Sequence, residues 1–241
     1  MLQRKIVSLL LLSVLIAASC STVQPDDASE QVDADEFVAA LHATIGYDFD
    51  PLPDPASALE QSDVAVAGRV VDVVVGLESW RDVSAVSCEE QKRQVLAESP
   101  DEPFECFNPE GEPELDDRYF AITVEVDDSF DGEAAPGDRV IFYVQAPLVG
   151  DIDELLKSAP RGPVVVLAAD EKQPPIADGS HVEQISKSED NRFLVPFPDG
   201  LWFTGSDGAI GPWWTAEDLS LQWGFELETV DDIAEILRND S

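Results

Sequence analysis

Residues 63–77, DVAVAGRVVDVVVGL, decide the fold class. Valine takes seven of the fifteen positions, and a branched Cβ suits a pleated strand better than a helix. Val64, Val66 and Val70 fall on one phase of the strand alternation, whereas Val71, Val73, Val75 and Leu77 fall on the other. The switch follows Gly68 and Arg69. A slip of one residue in phase is what a β-bulge produces, and bulged, bent strands are how small barrels turn corners. The stretch therefore predicts one long strand that serves two sheets.

The sequence on either side extends the β reading. Phe120, Ile122, Val124 and Val126 alternate with Tyr119, Ala121, Thr123 and Glu125, as in a half-buried antiparallel strand. Residues 127–138 make a turn into a strand in which Val140, Phe142 and Val144 share a face. A short helix over 151–158 precedes residues 163–169, whose three successive valines suit a strand buried on both sides. Ahead of the first strand, Asp33 or Asp35 can cap a helix with Phe37, Leu41 and Ile45 at spacing four, and a helical turn is expected near 56–61. Toward the end, residues 193–197 and 201–204 flank Asp199-Gly200, a dipeptide that favours a tight hairpin. Thr229 with Asp232 then opens a helix carrying Val230, Ile233, Ile236 and Leu237 on one stripe. The expected class is mainly β (α+β): a small antiparallel barrel, a C-terminal β-hairpin region and a terminal helix packed on the β layer. Val64, Val66, Phe120, Ile122, Val124, Val140, Phe142 and Val165 are expected inside the barrel.

The first twenty residues give an address. Arg4 and Lys5 lead into an apolar run, residues 6–18, that ends at Ala17-Ala18-Ser19-Cys20. The run is too short for a membrane span and has the layout of a secretory leader. With a cysteine at the cleavage point, it resembles a bacterial lipoprotein signal. That resemblance implies acylation of Cys20 after removal of residues 1–19, and two or more acyl chains suffice for stable anchoring. Ala17 departs from that family, which prefers Leu there. The competing reading is an ordinary leader with an incidental cysteine. Residues 20–34 read as a flexible polar tether, 35–172 as the barrel domain with a cystine loop, and 173–241 as a Trp-rich hairpin and helix. Residues 173–191 are the best linker or long-loop candidate.

Charge narrows the partners. Fifty acidic against fourteen basic residues give a formal charge of −36, and loss of Arg4 and Lys5 with the leader takes it to −38. Such a field repels phosphate backbones and anionic headgroups, so nucleic-acid binding and electrostatic membrane docking are disfavoured. Lipid rather than charge is then the expected membrane anchor. Outside the cytoplasm, Cys88 and Cys106 read first as a disulfide, whose loop closure contributes ~3 kcal/mol through the unfolded state. A metal site or a reactive thiol is the alternative. The acids between the two cysteines would raise a thiol pKa, and neither His42 nor His181 is near them in sequence.

A family resemblance rests on Ser62-Asp63-Val64-Ala65-Val66-Ala67-Gly68-Arg69-Val70, on Phe130-Asp131-Gly132 and on Pro136-Gly137-Asp138-Arg139-Val140. Over residues 56–169 the chain resembles OB-like barrels of the tissue-inhibitor-of-metalloproteinase and netrin type, a pattern that recurs in secreted bacterial proteins and lipoproteins of unknown function. The resemblance implies an OB-like fold. It does not carry protease inhibition over, because those inhibitors present a free N-terminal cysteine amine to a metal, whereas here Cys20 is expected to be acylated and set apart by a tether.

Candidate chemistry is sparse. Asp127, Ser129, Asp131, Gly132 and Asp138 imitate a calcium-binding EF-hand loop, but Phe130, Ala134 and Pro136 do not suit it and strands flank it, so an acidic hairpin is favoured. Asp151-Ile152-Asp153 reads as a helix N-terminus. Hydrolase signatures such as Gly-x-Ser-x-Gly and His-Glu-x-x-His are missing, and no catalytic residue, metal or cofactor is expected. Trp213 and Trp214 are the candidate binding residues: if their segment is extended, neighbouring indoles point oppositely and one stays exposed to stack on a sugar or anchor a protein. The expected function is a monomeric, lipid-anchored extracytoplasmic protein of the cell membrane that binds an envelope protein or glycan. The alternatives are a carboxylate-based hydrolase and a calcium-binding envelope protein.

Overall fold

The computed structural model describes residues 34–42, 51–81, 92–93, 113–173 and 192–241, together with the backbone of 181–184. Five helices and seven strands occur among them: α1 Ala34–His42, α2 Pro55–Gln61, β1 Val64–Arg81, β2 Glu114–Asp131, β3 Arg139–Gln145, α3 Ile152–Lys157, β4 Pro163–Glu171, β5 His181–Gln184, β6 Phe193–Gly205, β7 Gly208–Ile210, α4 Ala216–Trp223 and α5 Val230–Asp240.

The sheet is predominantly antiparallel, and its pairings return to their start. β1 pairs with β2 and β4, β2 with β3, and β4 with β6, all antiparallel. A single parallel contact, Phe142 opposite Leu194, joins β3 to β6 and completes a ring of five strands. β5 adds to the far half of β1, and β7 folds back on β6.

The slip anticipated in β1 is present. Val70 faces Val124 and Asp72 faces Thr123, so Val71 is the extra residue of a bulge and remains partly exposed. The bulge restores an inward direction to Val73 and Val75, which join Val64, Val66 and Val70 in one apolar cluster. Leu77 departs from the expected phase. A further slip, between Val75 and Leu77, turns it to the opposite face beside Tyr119, Ala121, Tyr143 and Phe193. Gly76 permits this, since a Cβ there would stand 2.6 Å from that of Ala121.

Of the eight expected interior residues, Val64, Val66, Phe120, Ile122, Val124 and Phe142 are buried in the ring cluster, and Val140 packs against it. Val165 is the exception. It is fully buried, but with Leu167 it lies on the other face of β4, in a second cluster with Leu59, Trp223, Ile233 and Leu237. β4 is thus covered on both faces: Val164, Val166 and Ala168 face the ring interior, and the helical layer of α2, α4 and α5 covers the outside. A buried valine or leucine contributes ~1.5–3 kcal/mol, which explains a run without polar alternation.

The two short helices α1 and α3 pack against the ring cluster. Phe37 stacks on Phe120 with centroids 5.6 Å apart and meets Phe203 edge-on at 6.2 Å, while Ile152, Leu155 and Leu156 of α3 pack alongside. α1 begins at Ala34, so Asp35 is not a cap but lies in the first turn, where its carboxylate accepts from the Ser206 backbone and hydroxyl. Asp54 caps α2 and Asp151 caps α3. Thr229 and Asp232 form the capping box read for α5.

The Asp199-Gly200 hairpin does not occur. β6 pairs with one partner on both sides of that dipeptide: Phe193 to Pro196 face Glu171 to Ala168, and Leu201 to Phe203 face Val166 to Val164. Residues 197–200 form a step, an insertion opposite Leu167 that shifts the register along β4, rather than a reversal. The hairpin of this region lies one strand later, between β6 and β7, with Gly205 opposite Gly208 and Gly208 at φ +124.

Candidate functional site

The chemistry-bearing residues of the described chain gather where the β6 step meets the helical layer. Gly200 makes the step possible, because a Cβ there would lie 2.6 Å from the Leu167 carbonyl oxygen. The step turns Asp199 inward, leaving it 3 % exposed. Its Oδ2 accepts the Leu52 backbone N–H at 2.6 Å. Trp202 Nε1 donates to the Asp199 carbonyl at 3.0 Å, and Trp223 Nε1 donates to the Leu52 carbonyl at 3.1 Å. Burial pushes the Asp199 carboxyl above the usual carboxylate range, opposed by backbone N–H donation from Leu52 and from Asp199 itself. This carboxylate ties the irregular, Pro-flanked segment at Leu52 to the sheet.

Trp213 and Trp214 follow β7 in a tight reversal. Ile210 bridges to Thr215, and the Gly211 N–H donates to the Trp214 carbonyl at 2.9 Å. The segment is therefore not extended, and strand alternation does not place its rings. Both indoles are half-buried. Trp214 packs against the cluster that holds Trp202 and Trp223, which are themselves core residues. His42 Nδ1 donates to the Pro212 carbonyl, so the end of α1 pins the same corner. The carbonyl can only accept, which places the proton on Nδ1.

Thr215 and Asp218 open α4 with a capping box, and donation from the Thr215 backbone and hydroxyl holds the Asp218 carboxyl below its usual range. Beyond that turn, Leu221 is 80 % exposed and Phe225 44 % exposed. The periodic reading of the chain did not single out either residue. An apolar residue on the solvent side of a short helix gives no sequence signature until the buried side, Leu219 and Trp223, is known.

Residues 127–131 belong to the end of β2, so the turn expected over 127–138 is confined to 132–138, and the acidic stretch is held by its own side chains and by arginines of β1 and α5. Arg69 lies 3.7 Å from Asp127 and Arg238 2.7 Å from Asp128, while Asp131 accepts from the Gly132 N–H and Asp138 from the Ala135 N–H. Among the described residues no three histidine, cysteine or acidic side chains are grouped to hold a metal ion. No described helix is long and apolar enough to cross a membrane. Cys20, Cys88, Cys106, Ile45, most of the 173–191 stretch and the His181 side chain lie outside the described residues. Comparison with family models, with curated proteins and with solved structures gives no match.

Proposed function

We propose that the mature protein is a lipid-anchored extracytoplasmic binding module of the cell envelope, without catalysis of its own. The observation that carries the reading is the leader: two basic residues, a short apolar run and small residues directly before Cys20. Acyl chains on Cys20 hold a mature chain whose formal charge of −38, the −36 of the full sequence less Arg4 and Lys5, could not bind an anionic surface by itself. Cys88 and Cys106 are paired in the oxidising compartment that the leader implies. The body of the protein is an OB-like barrel, a reading supported by five strands that close a ring and by the helix α3 between β3 and β4.

Because Phe37, Phe120, Phe142 and Phe203 pack together inside the ring, binding falls to its outer corners. The half-buried indoles at the Trp213-Trp214 reversal are suited to contact an envelope protein or a glycan while remaining seated in the fold. The test is fractionation with mass spectrometry. Native protein should sediment with membranes and carry a diacylglyceryl-modified, acylated Cys20, and Cys20→Ala should be released. An unmodified mature N-terminus, or a Cys20→Ala chain that stays on membranes, overturns the anchored reading.

A further inference from the structure

We propose that the α4 corner is a docking surface for a basic, amphipathic polypeptide segment of a partner protein, with Leu221 and Phe225 as its apolar anchors. The inference deepens the binding-module reading and does not depend on the lipid anchor. Leu221 stands on the last turn of α4, and Phe225 lies four residues on, just past the left-handed Gly224 that ends the helix. Both are among the few large apolar side chains exposed on the described residues, and Leu221 is four-fifths uncovered. The helix does not need them for its own packing, since Leu219 and Trp223 already bury its inner side.

Charge selects the occupant. Glu217 and Asp218 lie one turn before Leu221 on the same helix face, and Glu226 and Glu228 follow Phe225. Asp218 is held anionic by its capping bonds to Thr215. Over residues 216–241 the single basic side chain, Arg238, is engaged with Asp128. Two exposed apolar side chains flanked along the chain by four acids repel a second copy of this acidic chain and an anionic bilayer, and attract a segment with apolar residues flanked by Lys or Arg. Amphipathic segments dock in this way, with apolar anchors supplying affinity and the flanking charges setting partner choice.

The test uses the full chain and a synthetic Leu/Lys amphipathic peptide of about 18 residues, with an oligolysine of equal charge as control, at physiological salt. The Leu/Lys peptide should bind one to one and at least about tenfold more tightly than oligolysine, and Leu221→Ser or Phe225→Ser should each weaken it by about tenfold. Both positions are solvent-facing, so unchanged circular dichroism is expected to accompany the loss. Equal binding of the two peptides, or variants that bind the Leu/Lys peptide as the parent does, overturns the proposal. Two other results overturn it by naming a different occupant: Leu221-dependent binding to phosphatidylcholine vesicles in preference to the peptide, or a concentration-dependent dimer that Leu221→Ser dissolves. Neither result bears on membrane release of Cys20→Ala, so failure here and failure of the anchored reading are separable.

Discussion

Replacing Asp199 separates a structural tie from a functional carboxylate. In Asp199→Ala the Leu52 N–H loses its acceptor while remaining between the sheet and the helical layer, and a buried unsatisfied donor costs ~1–3 kcal/mol. Asp199→Asn keeps an oxygen for that N–H and removes the cost of burying a charge, so at neutral pH it should stay within about 1 kcal/mol of the parent or exceed it. Urea unfolding followed by tryptophan fluorescence reads both changes as midpoint shifts at constant slope.

The pH dependence gives an independent check. Burial raises the folded carboxyl above its unfolded value, so the parent's advantage relative to the non-titrating Asn variant is fully present below the ordinary carboxylate pKa. It is lost as pH rises through the folded pKa. The parent should therefore gain on Asp199→Asn as the solution is acidified. If Asn costs as much as Ala at neutral pH and the gap narrows in acid, the negative charge itself is required, and Asp199 becomes a candidate ligand or acid-base group.

Thr229→Ala should lower stability by about 1 kcal/mol through loss of the α5 capping box, measured by the same denaturation. Thr229 and Thr215 hold the carboxyls of Asp232 and Asp218 below their usual range, so the stability these contribute is present above the unfolded carboxylate pKa and is lost as pH falls through the folded values; the two threonine-to-alanine variants should flatten acid unfolding. Gly200→Ala should be destabilising by more than 1 kcal/mol, because its Cβ would meet the Leu167 carbonyl at 2.6 Å, whereas Gly162→Ala, with open space around it, should be nearly silent. Calcium titration should leave the melting temperature nearly unchanged if the acidic 127–138 stretch is only a strand end and its hairpin turn, and a rise of many degrees would replace that reading with a metal site.

The parts of this fold that could be read in the sequence are those in which one residue determines the direction of the next. The valine phase of β1 located the Val71 bulge because a slip of one position moves every later side chain to the other face. The Thr229-Asp232 box located α5 because its chemistry is complete within four residues. Val165 and Asp199 could not be placed in the same way. Alternation tells which residues share a face of β4, but which face lies toward the ring depends on the helices that arrive later in the chain to cover the other side. Asp199-Gly200 has the local chemistry of a turn, yet the chain does not reverse there, since β4 offers pairing partners on both sides of the dipeptide and a long-range ladder outweighs a local preference. The same logic governs the candidate surface. A tryptophan pair attracts notice in sequence, but Trp214 packs against the cluster of Trp202 and Trp223, whereas Leu221 and Phe225, which carry no such signal, are exposed. Comparing Trp214→Ala with Leu221→Ser therefore tests the point directly: the first should cost stability as well as any contact its indole makes, and the second should cost binding alone.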